Sequence, residues 1–141
     1  MEKDRVREAC EACFEAHKGD CSAFARAVAS KLGVPLQGLL ANDIVETLRT
    51  GHGWTPLTDG VAAAKSAHDG KLVMAGLKGS EQTHPDLHGH IVVVVDGPLA
   101  DDAYPRAYWG QLGGPGAEDK TINWAWIAGD RDRVSYAEHD I

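Results

Sequence analysis

The sequence predicts an α+β fold, in which helices from the first half pack on an antiparallel β-sheet from the second half. Apolar residues recur at helical spacing as far as Ala67, whereas short β-branched and aromatic runs separated by glycines follow from Lys71 onward. Helices that precede the strands, instead of alternating with them, are typical of an antiparallel sheet. The 141 residues, of which 43% are hydrophobic, suit one domain with one core over residues 1–141.

The first two helices are predicted on either side of Gly19. Residues 3–17 place apolar side chains at helical spacing between charges, and Lys18-Gly19 ends this helix. Asp20 is expected to cap the second helix, because its carboxylate can accept the amide hydrogens of the first turn. The inner stripe of the second helix is Phe24, Val28 and Leu32, and Gly33 with Pro35 ends it.

Two shorter helices are predicted next. Asn42 is expected to cap a third helix over residues 43–49. Thr58 or Asp59 is expected to cap a fourth helix, which extends to Ala67 and ends at Asp69-Gly70.

The strands are predicted from short apolar runs that end at turn residues. The run that begins at His90 ends at Asp96-Gly97-Pro98, which predicts a turn, and Gly113–Gly116 predicts a loop. The predicted strands cover residues 71–77, 90–95, 107–112, 121–127 and 133–137.

The net charge of −7 argues against nucleic acid and anionic membrane surfaces as partners, because both require a basic face. A basic protein partner remains compatible with it. The chain does not open with a basic segment followed by an apolar one, so no secretory signal peptide is expected. The apolar run Ile91–Val95 is too short to cross a bilayer, so no membrane insertion is expected.

Cys10 and Cys13 form a CxxC pair within the first predicted helix. An odd total of three cysteines excludes a complete set of disulfides within the chain. Redox CxxC pairs normally begin a helix, where the helix dipole favours the thiolate. The position of this pair therefore favours two buried thiols over a redox site.

Cys21 is the candidate nucleophile. It falls in the first turn of the second predicted helix, where the positive end of the helix dipole is expected to lower the thiol pKa. Backbone amides at the same place are expected to stabilise an oxyanion. The alternative is a buried structural cysteine.

His90 is the candidate general base. It opens the strongest apolar strand of the sequence, and the sheet would hold its ring rigidly. Gly89 before it is expected to leave space for a substrate backbone. The alternative is a solvent-exposed histidine at a strand end.

A zinc site is a rival interpretation of the same region. His84, His88 and His90 lie close in sequence to Asp86, and all four are possible zinc ligands. Their spacing matches no standard zinc motif, and Pro85 indicates a loop, so no metal or other cofactor is predicted. A metal-dependent hydrolase stays an alternative.

Two other features are expected to be structural. Asp130–Arg133 is expected to be a solvated turn or a salt-bridged entry to a strand, and the tryptophans are expected in the core or along a groove.

The chain resembles the first family of type VI secretion amidase effectors, which are small bacterial toxins that degrade the peptidoglycan of competitors. No single segment carries the resemblance; the ordered set does. Its segments are Asp20-Cys21-Ser22-Ala23-Phe24, Leu32-Gly33-Val34-Pro35, Trp54-Thr55 with Leu57, Leu72-Val73, Ala75-Gly76-Leu77-Lys78-Gly79, Gly89-His90, Gly97-Pro98-Leu99, Tyr104-Pro105 and Trp126 with Asp130-Arg131-Asp132-Arg133.

The resemblance implies an NlpC-like, papain-like fold in which a helix with the nucleophilic Cys21 packs on a sheet with the basic His90. It implies hydrolysis of the γ-D-glutamyl–meso-diaminopimelate bond in peptidoglycan stem peptides, with no metal. It also implies a cognate immunity protein that fills the active site. The expected route is secretion without a signal peptide, followed by action in the periplasm of target bacteria.

The sequence departs from the family pattern at three places. Ala23 stands where the family usually has glycine, and residues 84–88 resemble an extra piece of loop before His90. The position of the third catalytic group is occupied by Trp109, whose backbone carbonyl could orient the imidazole. Gln111 is a second candidate, because residues two apart on a strand share a face. A non-catalytic module that binds peptidoglycan or a partner is the alternative function.

Overall fold

A six-stranded antiparallel sheet forms the centre of the computed structural model, which describes residues 4–51 and 53–141. The strands follow the order β1-β6-β2-β3-β4-β5 across the sheet. They are β1 Thr55–Leu57, β2 Leu72–Leu77, β3 His90–Ala100, β4 Tyr104–Trp109, β5 Ala117–Thr121 and β6 Ser135–His139. The helices are α1 Arg5–His17, α2 Cys21–Lys31, α3 Ala41–Thr50, α4 Gly60–His68 and α5 Ala128–Arg131. The predicted α+β class with an antiparallel sheet is confirmed.

Helices cover both faces of the sheet, which explains the continuous apolar run at the start of β3. Ile91, Val93 and Val95 pack into the cluster that contains α1, α2 and α3. Val92 and Val94 alternate with them and pack into a second cluster with α4. Each fully buried valine or isoleucine contributes about 1.5–3 kcal/mol to stability.

The second helix begins and packs as its sequence predicts. Asp20 is its N-cap, and the carboxylate accepts hydrogen bonds from the backbone N–H groups of Ser22 (3.0 Å) and Ala23 (3.3 Å). Phe24 and Val28 are fully buried against the sheet and α1. The local sequence therefore fixes where α2 starts, and with it the position of Cys21.

Two other helix starts also agree with the sequence. The carboxylate of Asp59, one of the two expected caps, accepts a hydrogen bond from the N–H of Ala62 at the start of α4. Asp4 caps α1, so this helix begins at Arg5, and Lys3, where it was expected to begin, lies outside the described residues. Within residues 4–51 and 53–141, no helix is both long enough and apolar enough to cross a membrane.

The predicted capping role of Asn42 is wrong. α3 begins one residue before Asn42, and its N-cap position is occupied by Leu40, which makes no side-chain cap. The Asn42 carboxamide instead forms hydrogen bonds with the backbones of Gly79 and Leu87, far along the chain. A side chain engaged by distant residues cannot be recognised from local capping rules.

The turn predicted at Asp96-Gly97-Pro98 is also wrong, because β3 continues through it to Ala100. The pairing of β3 with β4 shifts between Val95 and Ala100, which accommodates the glycine and the proline within the strand. The chain turns instead at Asp101 and Asp102, whose φ angles are 51° and 55°.

The later strand boundaries differ from the predicted ones. β4 ends at Trp109, because Gly110 packs against the start of α2, where a Cβ atom would lie 2.5 Å from the carbonyl oxygen of Asp20. Residues 122–124 form a 3₁₀ turn instead of a strand, since β5 ends at Thr121. β6 begins two residues later than predicted, and the short edge strand β1 was not predicted.

Candidate active site

Cys21 and His90 line the same cleft. Cys21 is the first residue of α2 and His90 is the first residue of β3. The cleft has a volume of about 170 Å³ and is bordered further by the start of α3, the segment 87–89 and Leu112. The two residues singled out from the sequence are therefore brought together by the fold.

The end of β4 packs against the residues that lead into α2. A Cβ atom on Gly110, just beyond Trp109, would lie 2.6 Å from the carbonyl oxygen of His17 and 2.5 Å from that of Asp20. The backbone amide of Ile91 lowers the pKa of Cys21 in part. Because Ile91 directly follows His90, the sulfur lies near the backbone at the start of β3.

The thiol pKa does not follow the prediction. Burial raises the pKa of Cys21, and the charge of Asp20 raises it further, while the amides of Ile91 and Ser22 lower it in part. The expectation that the helix start would lower this pKa is wrong, because loss of water around the sulfur outweighs the favourable amides. At neutral pH the resting thiol is therefore protonated.

The ring of His90 is held between two indoles. Trp126 contacts it edge-on with ring centroids 5.3 Å apart, and Trp109 does so at 6.0 Å. Burial in this setting lowers the pKa of His90 to about 4. The imidazole is neutral at neutral pH and can accept a proton. The contact with Trp126 was missed, because its sequence position gives no signal that separates a core tryptophan from a wall of the site.

The two candidates for the third group lie near His90, but neither forms a hydrogen bond with its ring among the described residues. Trp109 contacts the imidazole through its indole, while its carbonyl oxygen faces Gly116 at the start of β5. The side chain of Gln111 is exposed and folds over Gly114. An orienting role for Trp109 or Gln111 therefore stays a prediction.

Gly89 does not leave space for a substrate. A Cβ atom on Gly89 would lie 2.5 Å from Oδ1 of Asn42 and 2.8 Å from the carbonyl oxygen of Leu77. The expectation of an open position there is wrong, because the space is filled by the protein itself. Glycine is required at this position by close packing.

A second cavity of about 430 Å³ lies on the other side of His90 and shares residues 88–90 and Leu112 with the first. Its walls are the loop before β3, both indoles that contact His90, and Gln111. Trp124 and Leu112 stand at its rim with 73% and 72% of their surfaces exposed. The two cavities together form an apolar-rimmed groove around the Cys21–His90 pair.

The histidines before β3 lie on the rim of this groove. His84, Asp86 and His88 are exposed and line the second cavity. Within the described residues, no group of three or more His, Cys, Asp or Glu side chains is arranged to share a metal ion. The CxxC cysteines, Cys10 and Cys13, are buried free thiols in α1, which agrees with the structural interpretation of that pair.

Comparison with known proteins found one informative similarity. No family model matches the chain. Over 123 residues it is 38% identical to the peptidoglycan amidase Tse1 of Pseudomonas aeruginosa strain PAO1, and the matched region covers 85% of this chain and 75% of that protein.

Proposed function

The chain belongs to the family of type VI secretion amidase effectors that includes the peptidoglycan amidase Tse1, and we propose from this premise how its cleft hydrolyses peptidoglycan. Cys21 is the nucleophile and His90 the general base of a cysteine amidase. The substrate bond is the γ-D-glutamyl–meso-diaminopimelate amide of the stem peptide. The observation that carries this proposal is the cleft shared by Cys21 and His90.

The pKa directions support proton transfer during the attack. A protonated thiol and a neutral imidazole are the resting forms, so His90 takes the thiol proton as the sulfur attacks the amide carbonyl. The resulting imidazolium then donates this proton to the leaving amine. Water releases the acyl group from Cys21, with His90 again acting as base.

The backbone N–H of Cys21 is our candidate for the oxyanion donor. Asp20 already accepts hydrogen bonds from the N–H groups of Ser22 and Ala23, so the helix start does not offer all of its amides to a substrate. The N–H of Cys21 lies one residue earlier, beside the reacting sulfur. Loss of one oxyanion donor typically costs about 10²–10³ in kcat.

The biological role that fits this chemistry is an antibacterial effector. The enzyme would act in the periplasm of target cells, where peptidoglycan stems are accessible, and a cognate immunity protein would block the groove. The apolar rim formed by Leu112 and Trp124 is compatible with either a peptide or a protein in the groove. Periplasmic expression of the wild type and of Cys21→Ala in a bacterial host tests this role.

Purified sacculi test the chemistry directly. Wild type, Cys21→Ala and the matched control Cys13→Ala are incubated with sacculi, and the released muropeptides are separated and identified by mass spectrometry. We expect Cys21→Ala to reduce cleavage by about 10³-fold or more, whereas Cys13→Ala removes a thiol from α1 and retains activity. Equal cleavage by wild type and Cys21→Ala would overturn the assignment, and the product masses identify the bond.

A binding module without catalysis is the second candidate. Among the described residues, the Cys21 sulfur and the His90 ring line the same cleft, and no hydrogen bond joins them. Binding of both wild type and Cys21→Ala to sacculi, with no muropeptides released by either, would favour this function.

Repeating the cleavage assay in the presence of a chelator tests the metal-dependent alternative, which predicts loss of activity.

A further inference from the structure

The side chain of Asn42 bridges the two ends of the loop that precedes His90. Its Oδ1 accepts a hydrogen bond from the backbone N–H of Gly79 at 3.0 Å, and its Nδ2 donates to the carbonyl oxygen of Leu87 at 3.0 Å. Gly79 lies just after β2, and Leu87 lies just before β3. One carboxamide on α3 therefore closes the neck of the loop formed by residues 78–89.

The backbone is packed tightly at this neck. A Cβ atom on Gly79 would lie 2.2 Å from the carbonyl oxygen of Asp86 and 2.7 Å from that of His88. A Cβ atom on Gly89 would clash with Oδ1 of Asn42. Gly79 and Gly89 thus allow both ends of the loop and the Asn42 carboxamide to pack closely together.

Other side chains hold the part of the loop that is farther from His90. Arg49 forms a bidentate ion pair with Glu81, with distances of 2.7 and 2.8 Å. Asp130, which is 4% exposed, accepts hydrogen bonds from the backbone N–H (2.8 Å) and hydroxyl (2.7 Å) of Thr83. These contacts fix residues 81–83, whereas Asn42 holds residues 87–89, directly before His90.

Asn42 also lies beside the two candidate reacting groups. It lines the same cleft as Cys21 and His90, together with its helical neighbours Leu40 and Ala41. The ladder with β2 pairs His90 with Leu77. The ladder and the carboxamide therefore hold the backbone at His90 from two directions.

We propose that Asn42 is a positioning residue for the amidase reaction, which holds the backbone of Gly89 and His90 in place beside Cys21. This inference rests on the proposed role of His90 as base. Asn42 acts through the loop backbone and does not touch the reacting atoms.

Two substitutions test the bridge. Asn42→Ala removes both hydrogen bonds, whereas Asn42→Asp keeps the acceptor for Gly79 and places a carboxylate oxygen against the carbonyl of Leu87. We expect Asn42→Ala to lower kcat by about 10- to 100-fold, as small misplacements of catalytic groups do, while KM changes much less. Asn42→Asp should have an effect in the same direction and fold more readily.

Thr47→Val is the matched control. Thr47 also lies on α3 and donates from its side chain to a backbone carbonyl, that of Gln37, at 2.9 Å, but away from the cleft. Both control and test variants lose helix side-chain hydrogen bonds, so a similar fall in thermal stability is expected. Only the Asn42 variants should lose kcat.

The pH profile separates positioning from a general loss of stability. An opened neck admits water to His90, so its pKa should rise from about 4 towards the ordinary 6.5, and the acidic limb of kcat/KM should move to higher pH. The titratable groups that line the two cavities beside His90 are Asp20, Cys21, His84, Asp86, His88 and Asp130. They are unchanged in Asn42→Ala and in Thr47→Val, so the pH profiles of these two variants are compared, whereas Asn42→Asp adds a carboxylate to the cleft and is compared at neutral pH only.

The outcomes are distinguishable. Cleavage that depends on Cys21, together with a wild-type kcat and acidic limb in folded Asn42→Ala, overturns the positioning role and leaves the proposed function intact. Cleavage that Cys21→Ala does not affect overturns the proposed function and this inference with it. Reduced kcat with a shifted limb in Asn42→Ala, but not in Thr47→Val, supports the inference.

Discussion

The two sides of the cleft are built in different ways. Cys21 is placed by its neighbours in sequence, since Asp20 caps the helix that Cys21 begins. His90 is placed by residues far from it in sequence, namely Asn42, Leu77, Trp109 and Trp126. One half of the site is thus a property of a short segment, and the other half is a property of the whole fold.

This difference separates the effects that substitutions should have. A change beside Cys21 alters the charge and solvation of the thiol while the surrounding structure persists. A change beside His90 alters packing, so it should affect both the position of the base and its pKa. Equal effects on activity and stability from substitutions on the two sides of the cleft would contradict this difference.

The largest difference is expected between two glycines. Gly89→Ala places a methyl group 2.5 Å from Oδ1 of Asn42, so we expect activity to fall by about 10²-fold and the free energy of unfolding by about 1–3 kcal/mol. Gly19→Ala, just before α2, meets no atom within 4 Å and should behave as wild type. Muropeptide release and urea denaturation measure both quantities. Tolerance of Gly89→Ala in both assays would contradict the close packing on the His90 side.

An intermediate effect is expected at the indole that contacts His90 most closely. Trp126→Phe leaves space for water, so the pKa of His90 should rise from about 4 towards 6.5 and kcat/KM at pH 5 should fall by up to about thirtyfold. At pH 8 the imidazole is neutral in both proteins, so the rates should be similar there. The measurement is kcat/KM as a function of pH.

The control for that substitution is another tryptophan beside a histidine. Trp54 contacts His139 edge-on at 5.1 Å, away from the cleft. Trp54→Phe should leave the acidic limb of kcat/KM in place.

The pH dependence of wild-type stability is a further check on the burial of His90. Because the pKa of His90 lies below its unfolded value, the free energy of unfolding should decrease as pH falls from about 6.5 to about 4. A flat profile over that window would contradict the burial of His90.

The smallest effect is expected on the Cys21 side. Asp20→Asn keeps a side chain that caps helices well and removes a charge that raises the pKa of Cys21. Alkylation of Cys21 should therefore become severalfold faster at neutral pH, with little change in thermal stability. Asp59→Asn, the same change at the cap of α4, is the control. An unchanged alkylation rate in Asp20→Asn would show that burial alone sets the thiol pKa.

The parts of the site that sequence predicted are those determined locally. The Asp20 cap, the start of α2 and the apolar strand after His90 follow from capping chemistry and from runs of β-branched residues, and the structure agrees with them. The order of helices and strands was likewise sufficient to predict an antiparallel sheet with Cys21 and His90 on separate elements.

The parts that sequence did not predict depend on distant contacts. Asn42 has the composition of a helix cap, yet its partners lie beyond β2, and local rules therefore gave the wrong role. Gly89 was expected to leave space for a substrate because glycine lacks a side chain. That space is occupied by Oδ1 of Asn42 and the carbonyl oxygen of Leu77. The contact of Trp126 with His90 depends on a 3₁₀ turn in a segment that was predicted as strand.

The bridge from Asn42 to the loop has a consequence for the order of events during folding. Asn42 and Leu87 are 45 residues apart, and contacts of such separation close only after the local elements have formed. A chain in which α2 and the first residues of β3 have formed therefore carries Cys21 and His90 without their final arrangement. We expect that arrangement to form only when α3 docks, late in folding, so a newly made chain passes through a stage in which both side chains are present but not yet placed.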